Sequence, residues 1–80
     1  MKTVKIRYFA AFRDATGLAT ETVESGASDL AGLFEERLGA HASLQRESAA
    51  KVAVNDTLAQ WTDPFNDGDE VLFFPPVAGG

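Results

Sequence analysis

From Thr3 to Phe9 charged and apolar residues alternate with period two, and a second strand-forming run, Glu70 to Phe74, lies at the far end of the 80-residue chain. Val4, Ile6 and Tyr8 fall on one face of the first run and Lys5, Arg7 and Phe9 on the other, the pattern of a half-buried strand. Between these ends one stretch shows a clear helical period. Leu30, Leu33, Phe34 and Leu38 stand at i, i+3, i+4 and i+8 and form a single apolar stripe suited to covering a sheet. Strong strands at both ends and one amphipathic helix between them predict an α+β roll, one layer of sheet with the helix across it.

The remaining elements follow from local chemistry. Asp14, Thr16 and Gly17 supply a turn, and Leu18 to Glu24, rich in β-branched residues, reads as a second strand joined to the first through a wide loop. Ser25-Gly26-Ala27 breaks that strand, Ser28 is placed to cap the helix, and Asp29 puts negative charge where the helix dipole favours it. Gly39 is a natural stop, and Glu35, Glu36 and Arg37 are expected to face water. The small, polar segment from Ala40 to Ala50 has no strong period and reads as a loop containing a short helical turn. Lys51 to Val54 reads as a strand, Asn55-Asp56 as a turn, Thr57 to Trp61 as a short return strand, and Asp63-Pro64 with Asn66-Asp67-Gly68 as the turn cluster before the last strand.

The predicted order is therefore β-β-α-β-β-β with no repeat or linker. With the strongest strands at the two ends, the first and last can pair at the centre of the sheet, the mark of the β-grasp fold. That reading gives one domain over residues 1–75 and an extended arm over residues 76–80.

Composition narrows the functions such a domain can have. A chain with 45% hydrophobic residues and this length builds one core and has little left to wall off a deep substrate cavity, which excludes most self-contained enzymes. Seven Lys and Arg against twelve Asp and Glu give a net charge of -5, the wrong sign for neutralising nucleic-acid phosphates or an anionic membrane. With no cysteine and one histidine, the sequence offers no thiolate or His-rich metal site and no thiol nucleophile. The charged, alternating N-terminus is unlike a signal peptide, and no apolar run reaches the ~20 residues of a membrane span, so a cytoplasmic protein is expected.

Several local patterns have bland explanations. Asn55-Asp56-Thr57 matches a glycosylation sequon but reads better as a tight turn. Asp63, Asp67 and Gly68 look like a fragment of a calcium loop, yet Phe65 and Phe74 occupy positions that need oxygen ligands. His41 has no nucleophile and carboxylate that spacing can assemble around it, and reads as a solvated loop residue. No Gly-rich phosphate cradle or P-loop lysine is present, so the chain has no means of holding ATP itself.

The most informative segment is Phe73-Phe74-Pro75-Pro76-Val77-Ala78-Gly79-Gly80, where a strand passes into two prolines and then two glycines. Prolines cannot continue a central ladder and favour an extended path, so the last residues should project from the body. Six residues at ~3.3 Å each reach roughly 20 Å. Glycines at the tip leave room for a partner's backbone and catalytic groups to close around a carboxylate. Strand parity puts Phe9 with Lys5 and Arg7, and Leu72 and Phe74 with Glu70, so these apolar side chains should point away from the helix and form a patch at the root of the arm.

Asp67-Gly68-Asp69-Glu70-Val71, the Phe73 to Val77 run, the Gly79-Gly80 ending, Val54-Asn55 and the Ala11 to Gly17 loop together resemble the sulfur-carrier small subunits of molybdopterin synthases. The resemblance covers nearly the whole chain except Ala40 to Ala50. It implies a ubiquitin-like β-grasp protein whose Gly80 carboxylate is adenylated by a ubiquitin-activating-type adenylyltransferase, converted to a thiocarboxylate and used to deliver sulfur to a pterin in molybdenum cofactor biosynthesis. Gly79, Ala78, Val77, Pro76 and Pro75 would then be the arm that a partner grips. Leu58 would join Phe9, Leu72 and Phe74 on the face that meets the large catalytic subunit. The resemblance also implies that the chain is a carried substrate more than a catalyst and binds no cofactor or metal, with ATP and Mg²⁺ held by the activating enzyme and sulfur supplied by a donor protein. A thiamine-pathway sulfur carrier, a ubiquitin-like protein modifier whose activated Gly80 is attacked by a lysine amine, and an interaction module with an irrelevant tail are the competing readings.

Overall fold

The computed structural model describes residues 1–76. The period-two run becomes β1 (Lys2–Tyr8), with Val4, Ile6 and Tyr8 buried and the alternate residues turned outward. It is followed by α1 (Ala10–Thr16), β2 (Thr20–Ser25), α2 (Leu30–Ala40), β3 (Lys51–Val54), β4 (Thr57–Ala59) and β5 (Glu70–Phe74). The five strands form one mixed sheet in the order β2-β1-β5-β3-β4. β1 and β5 run parallel near its centre, pairing Lys5 with Glu70 and Tyr8 with Phe73, and every other pairing is antiparallel. This is the α+β, β-grasp arrangement expected from the two terminal strands.

Parallel neighbours need a crossover, and α2 supplies it by packing across one face of the sheet. Leu30, Leu33 and Phe34 of α2 are buried and Leu38 is half-buried against them. The Phe34 ring meets Phe73 at 4.9 Å, Phe12 at 5.5 Å and Trp61 at 5.5 Å, and Trp61 stacks on Phe73 at 5.8 Å. The loop after β4 also satisfies the first turn of α2, since Leu30 and Ala31 donate their N–H groups to the carbonyls of Asp63 and Trp61 at 3.0 and 2.9 Å.

The structure corrects the sequence reading at several points. The expected loop after β1 contains α1, which buries Phe12 and closes on Gly17 in the left-handed region (φ 73°), whose N–H reaches the Arg13 carbonyl at 2.8 Å. The second strand starts at Thr20 instead of Leu18, and the return strand ends at Ala59 instead of Trp61, because Trp61 turns in to the core. Asp29, not Ser28, caps α2, accepting the Gly32 N–H at 2.8 Å, and the helix passes through Gly39 to Ala40 with His41 as its C-cap.

The expectation that Glu36, Arg37 and His41 lie in water also fails. Glu36 accepts the hydroxyl of the fully buried Ser25, while Arg37 and His41 are both drawn to Glu21 on β2. Loop 41–50 has no helix and is pinned by buried Leu44 and Ala50.

Candidate functional site: the open sheet face and the root of the arm

Among the described residues, no helix or strand covers the face of the sheet opposite α2. Register places Arg7 beside Leu72, Leu72 beside Ala53 and Ala53 beside Leu58, so one row crosses β1, β5, β3 and β4. Leu58 is 70% exposed and Leu72 is half-buried. Ala53, although on this face and outside the main core, is only 6% exposed, forming a floor between its larger neighbours. In the next row Phe74 stands beside Lys51, and Phe9, 46% exposed, follows β1 with its N–H on the Phe73 carbonyl at 3.3 Å. All four apolar residues assigned to this face from parity and resemblance, Phe9, Leu58, Leu72 and Phe74, therefore lie on it.

Charges border this apolar row. Glu70 meets Lys5 at 3.8 Å and Arg7 at 3.5 Å, and the Arg7 guanidinium lies 5.9 Å from the Phe9 ring centre. These pairs are solvent-exposed and contribute little to stability. They leave the face with paired charge along β1 and greasy surface along β5.

Phe9 and Phe74 converge where β5 ends. Together with Ala11, Glu47, Pro75 and Pro76 they line a groove of ≈ 550 Å³. Pro75 is buried and Pro76 exposed. Val77, Ala78, Gly79 and Gly80 lie outside the described residues. Glu47 and the α1 alanines were not legible as groove residues. Glu47 sits in a segment without periodicity, and only the folded path of loop 41–50 carries it to the end of β5.

The turn ahead of β5 holds the strand in register. Gly68, at φ 89°, donates to the Thr3 carbonyl at 2.7 Å, and Asp67 accepts the Thr3 N–H at 2.6 Å. Asn55 and Asp56 adopt positive φ in a two-residue hairpin turn, and the Asn55 side chain accepts the Glu70 N–H and donates to Asp69, both at 3.0 Å. The Asp67 to Val71 and Val54-Asn55 motifs thus act on geometry, locking both flanks of β5.

On the helix side, the buried Tyr8 is held by a half-buried polar knot. Its hydroxyl donates to Glu21 at 2.7 Å, His41 Nε2 approaches the same carboxylate oxygen at 2.9 Å, and Arg37 reaches the other at 3.3 Å. Burial pushes the Tyr8 hydroxyl well above its ordinary range, reinforced by its hydrogen bond to Glu21 and that group's charge. Burial also acts to raise Glu21, but hydrogen bonds from His41 and Tyr8 and the His41 and Arg37 charges outweigh it and hold the carboxyl below its usual value. Among the described residues no group of three or more His, Cys, Asp or Glu is arranged to hold a metal ion, and no helix is long and apolar enough to cross a membrane.

Comparison with known proteins places this geometry. A relative from Escherichia coli, the molybdopterin synthase sulfur carrier subunit, is 38% identical over 87 aligned positions, covering 96% of this chain and 99% of the relative. A solved structure from Pyrococcus furiosus, a putative molybdopterin converting factor subunit 1, superposes with a TM-score of 0.83 at 31% identity, covering 96% of this chain and all of that one. The small chain in the complex of subunits 1 and 2 of the Helicobacter pylori molybdopterin-converting factor matches with a TM-score of 0.65 at 28% identity, over 98% of this chain and 99% of that one. The model of the ThiS family matches residues 6–80, and with a ubiquitin-like β-grasp sheet as its frame, this chain belongs to that family.

Proposed function

We propose that this protein is the sulfur-carrier subunit of a molybdopterin synthase. The observation that carries the reading is the end-to-end likeness to a relative named for that role, at 38% identity. The geometry supports it, because the central β5 delivers Pro75 and Pro76 to the rim of the domain beside exposed Phe9 and half-buried Phe74.

In this reading the reacting group is the Gly80 carboxylate, on an arm gripped through Val77, Ala78 and Gly79. At neutral pH a terminal carboxylate, with a pKa of ~3.5, is ionised and a poor electrophile. Attack of its oxygen on the α-phosphorus of ATP, with loss of pyrophosphate, gives an acyl adenylate. A sulfide-level sulfur then forms the C–S bond as the C–O bond to AMP breaks, leaving a thiocarboxylate. The chain contains no cysteine, so sulfur comes from a donor protein, and ATP with Mg²⁺ is held by a ubiquitin-activating-type adenylyltransferase. The large subunit docks on Phe9, Leu58, Leu72 and Phe74 and brings the pterin precursor to the sulfur. The protein acts as a co-substrate of that complex and not as a catalyst alone.

Intact mass of the protein isolated from its own cells tests the proposal. A population heavier by the exchange of one oxygen for sulfur, lost when Gly80 is deleted, is expected. Gly80 found only in amide linkage to lysines of other proteins would replace this reading with that of a protein modifier.

A further inference from the structure

Phe74 forms a ridge between two grooves of opposite charge. The first, ≈ 550 Å³, is otherwise apolar and contains one ionic side chain, Glu47. The second, ≈ 510 Å³, runs from Phe74 past Leu58 to Trp61, is more polar through Ser48 and Gln60, and contains one ionic side chain, Lys51, which is the cross-strand neighbour of Phe74. Both ions are exposed, and neither has an ion-pair partner among the described residues. The other two cations of this face behave differently, since Lys5 and Arg7 share Glu70.

A surface that closes over a groove containing a single charge must supply the opposite charge, or the covered ion loses its hydration without compensation. One such groove selects a charge. Two of opposite sign on either side of an aromatic ridge also select a direction, because a partner turned end for end sets like charges against each other.

We propose that Glu47 and Lys51 are an orientation key for the protein that seats on Phe74: the partner presents Arg or Lys to the Glu47 groove and Asp or Glu to the Lys51 groove. The proposal rests on the sulfur-carrier reading and takes the large synthase subunit as the occupant. Correct orientation matters there because Pro75 and Pro76, which lead into the reacting C-terminal residues, line the Glu47 groove, so the partner is seated beside the root of the arm.

The test is titration of the purified protein with its cognate large subunit at low and high salt. Glu47→Gln and Lys51→Gln should each weaken binding about tenfold at low salt and flatten its salt dependence. Glu47→Lys combined with Lys51→Glu leaves the net charge unchanged and should weaken binding about a hundredfold, with the melting temperature unaltered. Phe74→Ala serves as the control for the face itself. If Phe74→Ala weakens binding while the doubly reversed variant binds like the unaltered protein, the key is wrong and the docking face stands. If Phe74→Ala and the doubly reversed variant both bind normally, or the unaltered protein does not bind the large subunit, the face and the key fall together.

Discussion

The polar knot beneath β1 makes a quantitative prediction for Tyr8→Phe. Tyr8 is 1% exposed and its hydroxyl is 2.7 Å from Glu21. A hydrogen bond to a charged acceptor contributes about 1.5–3 kcal/mol, and removing the hydroxyl returns about 1 kcal/mol because that group no longer has to be desolvated. Glu21 keeps His41 and Arg37, so no fully orphaned charge is left. The expected loss at neutral pH is about 0.5–2 kcal/mol, or roughly 2–16 °C in melting temperature for a domain of this size.

The pH dependence makes the prediction sharper. Glu21 is depressed in the folded state, so its contribution is present above the ordinary carboxylate value near 4.3 and disappears as pH falls through the folded value. Tyr8 is raised, so in strong alkali, above about pH 10, the unfolded chain of the unaltered protein ionises first and its stability falls, whereas the Phe variant has no such group. The gap between the two proteins should be widest near neutrality and narrow in acid and in strong alkali. Circular-dichroism melts across that range decide the matter. Equal stability at pH 7, or a gap that stays constant down to pH 2, would refute the assignment of the knot.

Three other predictions concern the core, the face and the arm. Leu33→Ala should cost roughly 2–5 kcal/mol of folding stability in a denaturant titration, since Leu33 is completely buried between α2 and the sheet. Phe74→Ala should weaken binding to the large subunit by on the order of 2 kcal/mol in calorimetry, with Phe9→Ala close behind, and a large stability loss with unchanged affinity would mean the faces were assigned backwards. Deleting Gly80, or adding one residue beyond it, should abolish adenylation and sulfur loading in a reconstituted assay while the melting temperature barely moves; normal loading would contradict the proposed chemistry.

What could be read in advance was whatever local periodicity encodes. The alternation in β1 and β5 and the stripe Leu30, Leu33, Phe34 and Leu38 are each set by neighbours in sequence, and they fix the sheet, its central pair and the face on which Phe9 and Phe74 lie. α1 escaped because it carries few such signals. It is seven residues long, starts from Phe9 without a side-chain cap, and has Ala10 at φ 51° and one buried side chain, Phe12. Its one visible marker was Gly17, which reads equally as a turn or as a helix stop. Glu21, Arg37 and His41 escaped for another reason: no spacing rule links a strand residue to the last turn of a later helix. Glu47 joins the groove only through the fold of a segment without period.

The parallel pairing of β1 with β5 has a consequence for how the frame comes into being. Lys5 meets Glu70 and Tyr8 meets Phe73, so the contacts that close the core join the first strand of this sheet to its fifth, across more than sixty residues of chain. Such distant closure carries a large entropic cost before any contact offsets it, which places this topology among the slower-forming small domains and gives early helices no stable sheet to rest on. Until Glu70 to Phe74 arrive, the apolar face of β1 has β2 on one side and nothing on the other. The ledge from which Pro75 and Pro76 depart is therefore built in the same cooperative step as the core, and a partly folded chain offers a partner neither the ledge nor the ridge beside it.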